Sequence, residues 1–148
     1  MDLGLKDKVA VIMGGTSGVG LKTAEMFLQE GACVAVCGRN IERKENAYDH
    51  LLKFGTSGSI FAATCDVTNK NEVDEFISGA ASFFGGIDIL VNAAGQSVMG
   101  HFFDVTDEQW QQQIQLKYFA VIYAIKSVHP FLVKRGGGRI VNINATLS

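Results

Sequence analysis

A doubly wound parallel α/β sheet is predicted by three features of this sequence. Short, continuous apolar runs alternate with helix-period segments from one end to the other. The first apolar run ends in a glycine cluster that opens a helix. The resulting order, β-α-β-α-β-α-β-α-β, is strict, which argues for right-handed crossovers and helices on both faces of one sheet.

The elements follow in order. Val9-Ala10-Val11-Ile12-Met13 is an apolar run stopped by Gly14-Gly15, as expected of a strand buried on both faces. A helix is predicted from about Gly18 to Glu30, with Leu21, Ala24, Phe27 and Leu28 on one face and Gly31 at its left-handed cap. Cys33–Cys37 is the second strand, and a polar helix follows over Ile41–Lys53. Ile60–Cys65 is the third strand, ending at Asp66.

Thr68 or Asn69 starts the next helix, with Glu72 three residues after Asn69 in capping-box spacing. Its stripe is Val73, Phe76, Ile77, Ala80 and Phe83-Phe84. Ile87–Val91 is the fourth strand. Thr106, with Gln109 three residues on, heads a long helix whose stripe is Trp110, Ile114, Val121, Ile125, Val128 and Leu132, bent near Pro130. Gly136-Gly137-Gly138 breaks the chain, and Ile140–Ile143 is the fifth strand. The predicted strand order is 3-2-1-4-5. No linker or repeat is present, so residues 1–148 read as one domain, and the sheet reads as stopped in mid-fold.

Composition narrows the function. Of 148 residues, 47% are hydrophobic and 19% charged, a globular balance that excludes a disordered chain. Lys and Arg number 13 against 15 Asp and Glu, so no basic nucleic-acid footprint is expected. No stretch reads as long and uncharged enough to span a bilayer, and Met1–Lys8 lacks a signal-peptide layout. A cytoplasmic chain with no membrane and no nucleic-acid partner is expected. Cys33, Cys37 and Cys65 read as small buried hydrophobes in a reducing compartment. His50, His101 and His129 lie in unrelated segments, so no metal site is expected.

The chemistry is expected beyond the carboxyl ends of the strands. There Gly14-Gly15-Thr16-Ser17-Gly18-Val19-Gly20 leads from strand into helix. A glycine turn at a helix N-terminus offers unpaired N–H groups and the positive end of the helix dipole to an anion. Gly14 lets the chain turn, Gly18 removes a Cβ from the path of a diphosphate, and Gly20 lets the helix press on the sheet. A plain tight turn is the alternative.

The spacing is Gly-x-x-x-Gly-x-Gly, and with it the chain resembles the N-terminal part of a short-chain dehydrogenase/reductase. That family's motif is T-G-x-x-x-G-x-G, matched here except that Met13 stands for Thr. Its N-N-A-G motif is matched by Asn92-Ala93-Ala94-Gly95, with Ala93 for the second Asn. Asp66-Val67 matches the pair that contacts adenine in the family, and Gly138–Ile143 matches the run into the fifth strand. The resemblance runs through the whole chain. It implies a Rossmann-like domain, truncated after the fifth strand, that binds a nicotinamide dinucleotide for hydride transfer with a carbonyl or alcohol.

An NAD binder places an acid at the end of the second strand to hold the ribose hydroxyls. Here Gly38-Arg39-Asn40 stands there, so nothing repels a 2′-phosphate and a guanidinium is present to bind one. NADP(H) is therefore favoured over NAD(H).

The catalytic part departs from the family, which uses Asn, Ser and Tyr-x-x-x-Lys. No Tyr-x-x-x-Lys occurs in these residues. Aligning Val141–Ile143 puts Ala145 in place of the Ser, with Asn144 and Thr146 beside it. The Asn position, seven after Trp110, is Lys117. Thr146 and Lys117 are the candidate catalytic residues, each with a plain alternative as a strand-closing hydroxyl and a solvated cation. The register between Ile114 and Val121 puts Lys117 toward the core side of the helix, facing the cleft. Two readings stand: an NADP(H)-dependent oxidoreductase present as an N-terminal fragment, itself inactive, or a non-catalytic dinucleotide-binding protein. A methyltransferase is a weaker third. By the resemblance, the long helix over 107–132 would carry a homo-oligomer contact.

Overall fold

Five apolar runs become five parallel strands in the computed structural model, which describes residues 1–98 and 100–144. The elements are β1 (Val9–Met13), α1 (Gly18–Gln29), β2 (Cys33–Gly38), α2 (Ile41–Leu51), β3 (Ile60–Thr64), α3 (Lys70–Phe84), β4 (Ile89–Asn92), α4 (Asp107–Ile114), α5 (Ala120–Lys134) and β5 (Arg139–Asn142). The strand order is β3-β2-β1-β4-β5, as expected. Met13 lies beside both Cys37 and Asn92, so the C-terminal ends of β1, β2 and β4 reach one level.

Alternation along the strands sorts the core into two faces. Val9, Val11, Met13, Ala35 and Cys37 face α3 and α5, where Val73, Phe76, Ile77, Ala124 and Val128 meet them. Ala10, Ile12, Val34, Val36 and Val91 face α1 and α2, against Ala24, Leu28 and Leu51. β1 is buried throughout and β5 exposed throughout, with Ile140 and Val141 open to solvent at the sheet's edge.

Local signals place the helix ends. Gly31 and Gly85 take φ of +80° and +83° past α1 and at the end of α3. Thr106 and Gln109 form a reciprocal capping box at α4. Asn69 caps α3 by accepting from Asn71 N–H and Glu72 N–H. Glu72, however, does not return to Asn69; its carboxylate accepts from Asp66 N–H instead.

Three further expectations are corrected. The long helix is interrupted by a π turn over Gln115–Phe119, and a 3-10 turn, Phe102–Asp104, precedes it. The extra residue in that turn rotates the rest of the helix about its axis. The buried line is Ala120, Ala124, Val128 and Leu132, whereas Trp110 and Ile114 are exposed. On α3, Phe83 is likewise half exposed. Finally, the helical stretch Asp107–Lys134 is by length and composition long and apolar enough to cross a membrane, against the expectation that no stretch is. In this fold its buried alanines wall the core beside α3.

Glu25 is a buried charge on α1. Its carboxylate pairs with the Lys22 ammonium and lies 3.2 Å from His50 Nε2 on α2. Hydrogen bonds from Lys22 and then His50 hold its pKa below the usual carboxylate value. Paired this way, a charge can stay within an apolar face.

Candidate functional site

The glycine turn after β1 is built by close backbone approach. Gly14 has φ of +77°, and a Cβ on it would lie 2.5 Å from Ala94 Cα, so β1's turn presses on the Asn92-Ala93-Ala94-Gly95 turn after β4. A Cβ on Gly20 would lie 2.3 Å from the Gly14 carbonyl oxygen. Helix α1 therefore starts directly against its own entry turn. Gly18 differs: its φ is +54°, and nothing lies within 4 Å of a Cβ built there. Its open side faces no protein atom.

Ser17 is the N-cap of α1, yet its side chain caps no N–H. Leu21 N–H is the first in this helix to reach back, to the Ser17 carbonyl. The N–H groups of Gly18, Val19 and Gly20 precede it, as orphan donors at a helix start do. Uncapped donors, a glycine without a Cβ in front of them and the dipole's positive end fit a diphosphate.

At the end of β2, Gly38 meets Thr16 from the glycine turn. A Cβ on Gly38 would fall 2.2 Å from Thr16 Oγ1. Thr16 is itself buried. Its hydroxyl thus fills the space that an acidic side chain at position 38 would need. Arg39 follows and lines an open cleft of about 540 Å³ with Ile41, Phe61, Thr64, Asp66 and Glu72. The Asn40 side chain is engaged elsewhere, capping α2 by accepting from Arg43 N–H.

Asp66 and Val67 stand past β3. Asp66 Oδ1 accepts from Thr68 N–H at 2.9 Å and Thr68 Oγ1–H at 2.7 Å. The Val67 side chain is buried and, with Met13, Asn92, Ala94, Leu116 and Ala120, lines a small hollow over the ends of β1 and β4. Asn92 is also buried, and its Nδ2 donates to Asn142 Oδ1 at 2.8 Å. The thiols of Cys37 and Cys65 sit beneath this end of the sheet, both buried; the neighbouring Cys65 thiol and burial raise the Cys37 pKa well above its usual value.

The sequence-predicted binding residues thus gather along the C-terminal ends of β1 to β4: Gly14, Thr16, Ser17, Gly18, Val19 and Gly20, then Gly38 and Arg39, then Asp66 and Val67, then Asn92 to Gly95. Thr68, Glu72 and Leu116 join them, although sequence marks Thr68 and Glu72 only as helix-start residues and Leu116 not at all. Glu72 carries a signal in its spacing, which suits a helix cap equally well. Leu116 carries none, because the π turn sets its direction.

Thr146 and Ala145 lie outside the described residues. Lys117 sits within the π turn and is exposed, which corrects the core-side packing expected of it. No group of three or more metal-ligating side chains occurs among the described residues.

Comparison with known proteins agrees with this geometry. The family model described as short chain dehydrogenase matches residues 8–148. An uncharacterized oxidoreductase of Staphylococcus aureus (strain MW2) is 35% identical over 139 residues, 94% of this chain and 58% of that protein. The L-sorbose reductase of Gluconobacter frateurii, solved with NADPH and L-sorbose, superposes with a TM-score of 0.89 at 37% identity, over 96% of this chain and 54% of that one. An NADPH-bound short chain oxidoreductase of Pseudomonas aeruginosa PAO1, described as containing an atypical catalytic center, gives 0.88 at 38% identity, over 95% and 56%. The chain spans a little over half the length of these proteins. With the parallel sheet, the glycine turn and this match in hand, the chain belongs to the short chain dehydrogenase family.

Proposed function

We propose that this chain binds NADP(H) in preference to NAD(H), as the dinucleotide-binding part of an oxidoreductase acting on a small-molecule carbonyl or alcohol. The observation that carries the cofactor preference is the contact of Thr16 Oγ1 with Gly38, beside Arg39. The position where an acid would hold two ribose hydroxyls is taken by a neutral hydroxyl. The next side chain is a guanidinium, whose planar fork suits a phosphate. The NADPH complexes among the solved relatives support the same reading.

When bound, the dinucleotide would supply the hydride. The chain's own residues would hold it: the Gly18, Val19 and Gly20 N–H groups and Ser17 at the diphosphate, Thr16 and Arg39 at the 2′-phosphate, Asp66 and Val67 at adenine, and Asn92 to Gly95 along the ribose side. Lys117 and Thr146 are proposed for the reacting end. Lys117 offers donors only and a positive charge, so it suits an anionic substrate group better than the water-holding role of an Asn.

A second reading, a non-catalytic dinucleotide-binding protein, is favoured by Ala145 and Lys117 at two tetrad positions. A homo-oligomer through 107–132 fits the exposed Ile114, Tyr118 and Ile122. The three free cysteines fit a cytoplasmic location.

Fluorescence titration of the chain with NADPH and NADH tests the cofactor reading. A charge-assisted contact to the 2′-phosphate is worth about 1.5–3 kcal/mol, or about tenfold or more in affinity. Equal affinities would sink the preference. Turnover of a carbonyl by a longer chain that includes Tyr-x-x-x-Lys separates the two functional readings.

A further inference from the structure

We propose that Cys37 and Cys65 form a redox-sensitive pair, and that a hydroperoxide entering the cleft beside Arg39 closes them into a disulfide that shuts the dinucleotide site. The effect on binding rests on the dinucleotide reading above; the pairing of the two thiols does not.

The sequence holds three cysteines, and the sheet brings two of them together. Cys37 on β2 lies beside Ala63 on β3, and Cys65 is two residues further along that chain. Two residues on is the same face of a sheet. Both side chains accordingly enter one core cluster, with Met13, Ala35 and Val67. They are 0% and 1% exposed. The two thiols are within hydrogen-bonding reach, and that contact, then burial, raises the Cys37 pKa well above its usual value. Cys33 can replace neither. It stands at the other end of β2, four residues or about 13 Å from Cys37.

Access separates the two thiols. Cys65 lines the cleft that it shares with Arg39, Asp66 and Glu72, and Cys37 does not. The thiolate is the reacting form, and Cys37 is held as a thiol, so the first attack belongs to Cys65. With hydrogen peroxide, the Cys65 sulfur takes one oxygen as the O–O bond breaks, which leaves a sulfenic acid and one water. The Cys37 sulfur then displaces the hydroxyl from Cys65, and its proton leaves with that hydroxyl as the second water. Two thiols and one peroxide become one disulfide and two waters. So small an opening admits a molecule of about water's size and excludes glutathione disulfide.

The position of the pair turns its oxidation into an effect on binding. In an ideal ladder a two-residue offset between neighbouring strands puts the Cα atoms about 8 Å apart. A disulfide needs about 4.4–6.8 Å, so closing it moves backbone. Cys65 precedes Asp66, and its N–H donates to the Gly38 carbonyl at 3.0 Å. Cys37 precedes Gly38, which has no slack: a Cβ there would lie 2.2 Å from Thr16 Oγ1 in the glycine turn. Drawing the two cysteines together therefore shifts Arg39 against Asp66, which face the same cleft.

The test treats the folded 148-residue chain with hydrogen peroxide, maps its peptides without reduction by mass spectrometry, and titrates the same samples with NADPH. A Cys37–Cys65 cross-linked peptide, lighter by two hydrogens, should appear. The oxidised chain should bind NADPH at least about tenfold more weakly than the reduced chain, the scale of one charge-assisted contact. NADPH bound beforehand should slow the cross-link, and Cys33→Ala should behave as wild type. Cys37→Ala should stop at the Cys65 sulfenic acid, which dimedone captures. No cross-link in wild type, or one that includes Cys33, overturns the pairing without reliance on any variant. A cross-link that leaves NADPH affinity unchanged overturns the effect on the site. A reduced chain that binds no NADPH overturns the dinucleotide reading and that effect with it, while the cross-link still reports the pairing.

Discussion

Asn92 Nδ2 donates to Asn142 Oδ1 at 2.8 Å, a side-chain bridge between the last residues of β4 and β5. It joins the turn over 92–95 to the segment that leads on to Ala145 and Thr146. The backbone repeats the tie, since Ile143 N–H donates to the Asn92 carbonyl. Asn142→Ala leaves a buried amide with nothing to donate to, at a cost of about 1–3 kcal/mol. Urea denaturation of the variant measures it, and a midpoint equal to wild type would show that water replaces the bond freely.

Gly20 and Gly18 should respond differently to the same substitution. Gly20→Ala places a methyl 2.3 Å from the Gly14 oxygen, so α1 must move away from its entry turn. Overpacking of that kind costs about 1–3 kcal/mol, and the turn that would hold a diphosphate is displaced with it. Gly18→Ala meets no atom within 4 Å but must keep φ at +54°, a conformation costing about 1–2 kcal/mol for an L-residue. Melting curves paired with NADPH titration check both. Gly20→Ala should lose stability and binding. Gly18→Ala should lose binding out of proportion to stability.

Stability should fall with acid through Glu25. Lys22 and His50 depress its pKa in the folded chain below the ordinary 4.5. A depressed carboxylate contributes stability that is fully present above the unfolded value and is lost as pH falls through the folded one. Below about pH 4.5, then, wild type should lose melting temperature faster than Glu25→Gln, and the curves should run parallel above it. Parallel curves throughout would mean that the Lys22–Glu25–His50 cluster stabilises nothing.

The apolar side of the long helix gives a prediction about assembly. Ile114, Tyr118 and Ile122 are each more than two-fifths exposed on a stretch whose opposite side packs on α3. Ile122→Glu should lower the sedimentation coefficient of an assembled wild type toward that of the monomer. An unchanged coefficient would remove this helix from the contact.

Most of the fold is legible in the sequence because it is written locally. β1, β2 and β3 are apolar runs closed at Gly14, Gly38 and Asp66, and β4 and β5 are mostly apolar runs that end at Asn92 and Asn142, so β1 to β5 fall within two residues of their predicted ends. The glycine turn is legible for the same reason, since Gly14 and Gly20 meet atoms close in sequence or at a recognisable motif. The long helix departs from its predicted stripe because a π turn at Gln115–Phe119 breaks the period on which that stripe is counted. The true stripe begins with two alanines, Ala120 and Ala124, which a search for large apolar residues passes over. Lys117 is exposed in that turn rather than packed on the core side. Glu25 is invisible in the sequence because its partner His50 lies 25 residues away on another helix. Glu72 reads as a helix cap because one spacing serves two hydrogen bonds.

The most direct measurement is calorimetric titration of wild type and Arg39→Ala with NADPH and with NADH. If Thr16 occupies the acid's place and Arg39 holds the 2′-phosphate, wild type binds NADPH about tenfold or more tightly than NADH. Arg39→Ala then loses that margin from NADPH alone, with NADH unchanged. Equal binding of the two nucleotides by wild type, or an Arg39→Ala that keeps the NADPH preference, would contradict it.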